Sequence, residues 1–96
     1  MSALYHNVHE IEFVSDNRFM AMANEQVELW ELRTEPEVHM VYVDTVRHNN
    51  TMLAVVVDEN LQGLAVWSTD DYHTLAIGDI HTQQPLFELV QLGINS

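Results

Sequence analysis

Short apolar segments recur along this chain at roughly eight- to twelve-residue intervals, each closed by a polar cluster, and that spacing suits strands joined by turns. Residues 8–14 alternate: Val8, Glu10, Glu12 and Val14 point one way, His9, Ile11 and Phe13 the other. Period-two patterning is the mark of a half-buried strand. Ser15, Asp16 and Asn17 supply a turn. Residues 18–23 form a second apolar run, closed by Asn24, Glu25 and Gln26, and residues 27–32 a third. After Glu35-Pro36-Glu37, where proline interrupts regular structure, residues 38–43 resume the pattern. Residues 52–57 are nearly all apolar and rich in valine, as expected of a strand buried on both faces. Residues 64–68 follow, and residues 74–80 give a weaker segment interrupted by Gly78. The chain of 96 residues is expected to be one domain, 1–96, mostly β: an antiparallel meander of about six to seven short strands.

Two helical alternatives stand beside this reading. Residues 16–33 are rich in Met, Ala, Glu and Leu, and a helix there would carry Phe19, Met20, Met22, Ala23, Val27, Leu29 and Trp30 over about half its circumference, giving an α+β fold. Pro85 suits a first helical turn, Leu86, Phe87, Leu89 and Val90 cluster on one side, and Gly93 follows as a stop, so the tail reads as a short C-terminal helix or, equally, as a final strand.

Comparing the chain with itself favours strands. Residues 19–23 can be laid on 52–56, and after a turn Val27-Glu28-Leu29-Trp30 lies on Leu64-Ala65-Val66-Trp67. These copies resemble blades of a WD40-type propeller, in which a tryptophan ends the third strand of each four-stranded blade, usually before an acidic residue. Glu31 follows Trp30 in this way, whereas Ser68 follows Trp67, and no Gly-His pair precedes either copy. The resemblance covers roughly residues 8–80 and implies a ring of blades, which typically needs four to eight. Two blades then imply a ring-forming oligomer, further blades alongside or a fragment; if the likeness is only architectural, the same meander forms a small sandwich or open barrel.

Charge restricts the partners. Fifteen acids face three bases, Arg18, Arg33 and Arg47, for a net charge of −12. A field of that sign repels nucleic acid and anionic membrane and attracts a basic protein surface. With no cysteine there is no disulfide or thiolate site, and no apolar run approaches the ~18 residues that a spanning helix needs. The N-terminus lacks a basic start followed by an apolar stretch, so a cytoplasmic location is expected.

Catalytic equipment is not apparent. His6 and His9, with Glu10 adjoining, have a spacing that fits a metal face on a helix, but the alternation places them on a strand, and no His-Glu-x-x-His element occurs. His73, Asp79 and His81 would join them only through the tertiary fold. The adjacent pair Asp70 and Asp71 reads as a turn or a helix start. No Gly-x-Ser-x-Gly setting occurs, and three glycines draw no phosphate loop. No cofactor, metal site or catalytic residue is therefore expected. The expected binding residues are Glu10, Glu12, Glu28 and Glu31, as a negative face or rim, with Trp30 and Trp67 as aromatic anchors if exposed. Three functions follow from these features: a protein–protein interaction module with an acidic surface, an acidic inhibitor or immunity-type protein that mimics nucleic acid and blocks a basic site on an enzyme, or a structural subunit of a homo-oligomer.

Overall fold

A computed structural model describes residues 8–69 and 74–90, with the side chains of Phe87 and Val90 left aside. Over these residues the chain forms eight strands: β1 (Glu10–Phe13), β2 (Arg18–Met22), β3 (Gln26–Arg33), β4 (His39–Arg47), β5 (Met52–Val57), β6 (Gly63–Ser68), β7 (Thr74–Asp79) and β8 (Pro85–Val90). They make two antiparallel four-stranded sheets, each with its strands side by side in chain order, β1-β2-β3-β4 and β5-β6-β7-β8. The expected single meander of six or seven strands is thus two meanders of four.

Both helical alternatives give way to strands. Residues 16–33 fold as the β2–β3 hairpin, closed at Asn24 and Glu25 by the Ala23 N–H donating to the Gln26 carbonyl at 2.9 Å. Pairing Met20 with Leu29 and Met22 with Val27 collects four large apolar side chains on one face, a concentration that a helical arc of the same residues would spread out. The tail, open to either reading, is the strand β8, paired along β7. Pro85 opens that strand opposite Gly78, next to a register shift, where a missing N–H is tolerated. Gly93, the expected stop, lies outside the described residues, as do Asp70, Asp71, His6 and His73.

The two sheets share one core. Met20, Met22, Val27, Leu29 and Val46 of the first sheet meet Met52, Val55, Ala65, Trp67 and Ala76 of the second, with Leu61 and Ile80 from the turns filling the end. Residues 48–51 join β4 to β5, too short a link to cross a strand's length, since four residues reach at most about 14 Å. β5 therefore starts where β4 stops and runs in the sense of β1 and β3. By chain order and direction β5 corresponds to β1, whereas the sequence repeat lays β5 on β2. Trp30 consequently stands on the third strand of its sheet and Trp67 on the second of its own.

The joint between the sheets is pinned by hydrogen bonds. The N–H groups of His48 and Met52 donate to the carbonyls of Glu25 and Asn24 at 2.9 and 2.8 Å. Gln83 Nε2 donates to the Arg47 carbonyl at 2.7 Å, while its Oε1 accepts from the Asn49 N–H at 3.2 Å. Arg18 reaches from β2 to the Glu59 carbonyl in the β5–β6 turn at 2.8 Å. The β5–β6 and β7–β8 turns are each held by an aspartate accepting backbone N–H groups: Asp58 from Gln62 and Asn60, Asp79 from His81 and Thr82. Those bonds hold both carboxyls below their ordinary pKa.

Candidate interaction surface

A sheet has two faces, and in both sheets the second face is apolar as well. On the side of the first sheet turned away from the core, register places Phe13 opposite Phe19, Phe19 opposite Trp30, and Trp30 opposite Tyr42. The four aromatics form one row across all four strands. Phe13 meets Phe19 edge-on with ring centroids 5.8 Å apart, and Trp30 meets Tyr42 in the same manner at 5.6 Å, the favoured geometry for such pairs. The neighbouring row is Ile11, Ala21, Glu28 and Thr45, and on the other flank Leu32 pairs with Met40. Phe13, Ile11 and Tyr42 remain 62%, 63% and 51% exposed. Isolated surface apolar groups need no explanation, whereas here the apolar side chains lie side by side across the strands.

The row is held in place by polar contacts on the same face. Arg47 Nη1 donates to Gln26 Oε1 at 3.0 Å, Gln26 Nε2 donates to Glu28 Oε2 at 2.8 Å, and Trp30 Nε1 donates to Glu28 Oε1 at 3.0 Å. Tyr42 shares a hydroxyl bond of 2.6 Å with Thr45. The indole orientation is thereby fixed within the chain.

The outer face of the second sheet is aliphatic. One row runs Ala54, Val66 and Ile77, a second Val56 and Leu64, and a third carries Leu75 and Leu89. The expectation that the strand at residues 52–57 is buried on both faces is corrected here: Met52 and Val55 are buried, whereas Val56 is 74% exposed. The cause is that a second covering layer is absent from a single chain.

The sequence-predicted residues divide among three places. Glu28 and Trp30 lie on the aromatic face. Glu10 and Glu12 pair with Met22 and Met20, so they point to the opposite side, and Glu31 lies there too, opposite Arg18. The expected negative face of Glu10, Glu12 and Glu28 is therefore split by the sheet. Hydrogen bonds from Arg33 and Arg18, at 2.7 and 3.0 Å, hold the Glu31 carboxyl below its ordinary pKa. Trp67 is buried between the sheets and presents no surface. Phe13, Phe19 and Tyr42 were not among the expected residues, because alternation sorts side chains within a strand but only register joins them across strands. Among the described residues no three His, Asp or Glu side chains come together as a metal ion would require.

No family model, curated protein or solved structure matches this chain.

One buried polar group lies beside the core. His48, in the link between the sheets, packs its ring against Trp67 with centroids 4.3 Å apart. Its Nδ1 accepts the Asn50 N–H at 3.0 Å, which leaves the proton of the neutral ring on Nε2, buried and without a hydrogen-bond partner. Burial holds its pKa below the ordinary histidine value near 6.5. The unfolded chain then binds this proton more readily, so the contribution is fully present above pH 6.5 and is lost as pH falls through the lower folded value. Urea stability is expected to decline with falling pH below 6.5 in the native protein. In His48→Phe that first decline should vanish, leaving the fall at lower pH where Glu31, Asp58 and Asp79 titrate; identical profiles would show that the ring is not held neutral.

Proposed function

We propose that this chain is a non-catalytic protein–protein interaction module whose contact surface is the outer face of its first sheet. The observation that carries the reading is the row Phe13, Phe19, Trp30 and Tyr42, its two outer rings exposed and its two inner ones half-buried, with an indole already fixed by Glu28. Aromatic anchors on a rigid sheet contribute most of the energy in protein contacts, and the surrounding charges serve orientation and encounter rate. All three arginines are engaged in contacts within the chain, so the excess negative charge is left unbalanced, and it lies with Glu10, Glu12 and Glu31 on the side away from the aromatic row. Each sheet has the up-and-down four-stranded order of a propeller blade, and Trp30 stands on the third strand of its sheet as the WD40-like resemblance requires, whereas Trp67, on the second strand, departs from it. A cytoplasmic place, suggested by the lack of cysteine, belongs to it as well.

Photo-crosslinking from a reactive residue at position 40, on the flank of the aromatic row, tests the proposal. A discrete crosslinked complex is expected, lost in Trp30→Ser/Tyr42→Ser and retained in Glu10→Gln/Glu12→Gln. The reverse pattern, with the complex dependent on the glutamates, would move the function to the acidic side and favour a nucleic-acid mimic.

A further inference from the structure

The two outer faces differ in a way that the interior already explains. Inside the chain, an aliphatic face of the first sheet (Met20, Met22, Val27, Leu29) receives a face of the second sheet centred on Trp67. Outside, the second sheet presents an aliphatic face, with Val56, Leu64, Val66 and Ile77, while the first presents a face centred on Trp30. Each sheet thus has a tryptophan side and an aliphatic side, and both sheets carry them in the same order through the stack. The contact between the sheets within a chain leaves one unused face of each kind at its two ends.

We infer that a second copy of this chain occupies the aromatic face, seating the outer aliphatic face of its own second sheet against the first sheet of its neighbour. The contact repeats between chains the one that joins the sheets within a chain. It rests on the reading of the aromatic face as a protein-contact surface and names the occupant. The two surfaces are different, so the association is head-to-tail: it leaves a free face at each end until the rotation closes a ring. A ring buries both apolar faces of every sheet, which accounts for the valine-rich, two-sided apolar character of β5. It also accounts for why Val56, Ile11 and Phe13 on the two faces are apolar while so exposed in one chain.

Solution mass with two single variants and their mixture decides the matter. Phe13→Lys blocks the aromatic face and Leu64→Lys the aliphatic one. Both sites are exposed in a single chain, so the sheets stay folded, which circular dichroism checks. Each change lowers the net negative charge, so loss of assembly is not a consequence of added repulsion between copies. The native protein is expected to be a closed oligomer larger than a dimer at micromolar concentration. Each variant alone should associate at least roughly 100-fold more weakly, because a lysine is buried without a partner. Mixed together, they should form a one-to-one dimer and nothing larger, since one intact face of each kind remains.

Loss of assembly in Phe13→Lys alone, with Leu64→Lys unaffected, would mean two aromatic faces meeting symmetrically and would overturn the inference. So would a native monomer. In that case acrylamide quenching separates the two claims: a quenchable Trp30 leaves the face open to a different protein and the proposed function standing, whereas two protected tryptophans would end both.

Discussion

Trp67→Ala is expected to cost about 3–5 kcal/mol of folding stability, the range for removing a large aromatic from a packed interior. The indole is 5% exposed at the centre of the contact between the sheets, where it meets the methionines and leucine of β2 and β3 and packs against the tilted His48 ring. No hydrogen bond crosses that contact through the side chain, so the loss is one of apolar burial and of the space left behind. A domain of this size holds only about 5–15 kcal/mol in total. The variant is therefore expected to unfold at a much lower urea concentration, with the slope of the transition preserved. The same truncation at Tyr42 should cost about 1 kcal/mol in the single chain, since it removes one edge-on ring contact from an exposed position. Comparable losses at the two sites would mean that the sheets are not joined through Trp67.

How far the sequence reaches can be read from particular strands. β5 is marked by its valines and matches the expected residues 52–57 end to end, and β2, β3, β6 and β7 lie where alternation places them. β4 was expected to stop at residue 43 but runs to Arg47. The register shift opposite Leu29 and Trp30 inserts Val43 as an extra residue, which reverses the alternation of Thr45 and Val46 and hides the strand's second half from a period-two reading. β8 is ambiguous in the sequence because proline followed by clustered apolar residues also opens helices, and only the ladder with β7 decides between the two.

The interaction surface was less legible than the strands. Trp30 was named, but its row was not, since Phe13, Phe19 and Tyr42 belong to three other strands and meet it through registers set by turns. The same non-local register separates Glu28 from Glu10 and Glu12. One local feature misleads in the opposite direction: the two-sided apolar character of β5 predicts a layer on both faces, and the structure covers only one.

Leu61 offers the second large effect and a sharper discrimination. Its side chain is fully buried at the end of the core beside Ile80, yet its backbone has φ of +60°, a region that residues with side chains rarely enter. The turn enforces this: the Leu61 N–H donates to the Asp58 carbonyl at 3.0 Å, Asp58 Oδ1 accepts the N–H groups of Asn60 and Gln62 on either side, and His81 Nε2 meets the Leu61 carbonyl at 2.6 Å. Glycine or asparagine would take that backbone more easily, so leucine is retained for what it fills. Leu61→Ala is expected to cost about 2–5 kcal/mol through the vacated volume, while keeping the left-handed strain. In ordinary strand or helix positions glycine is worse than alanine by about 0.5–1 kcal/mol. At this position the order should be level or reversed, because glycine relieves a strain of about 1–2 kcal/mol that alanine retains. Urea denaturation of the two variants reads the difference directly. A glycine variant weaker than the alanine one by a full kcal/mol would mean that the turn does not hold residue 61 left-handed, and the hydrogen bonds of Asp58 and His81 would then lose their role in directing Leu61 into the core.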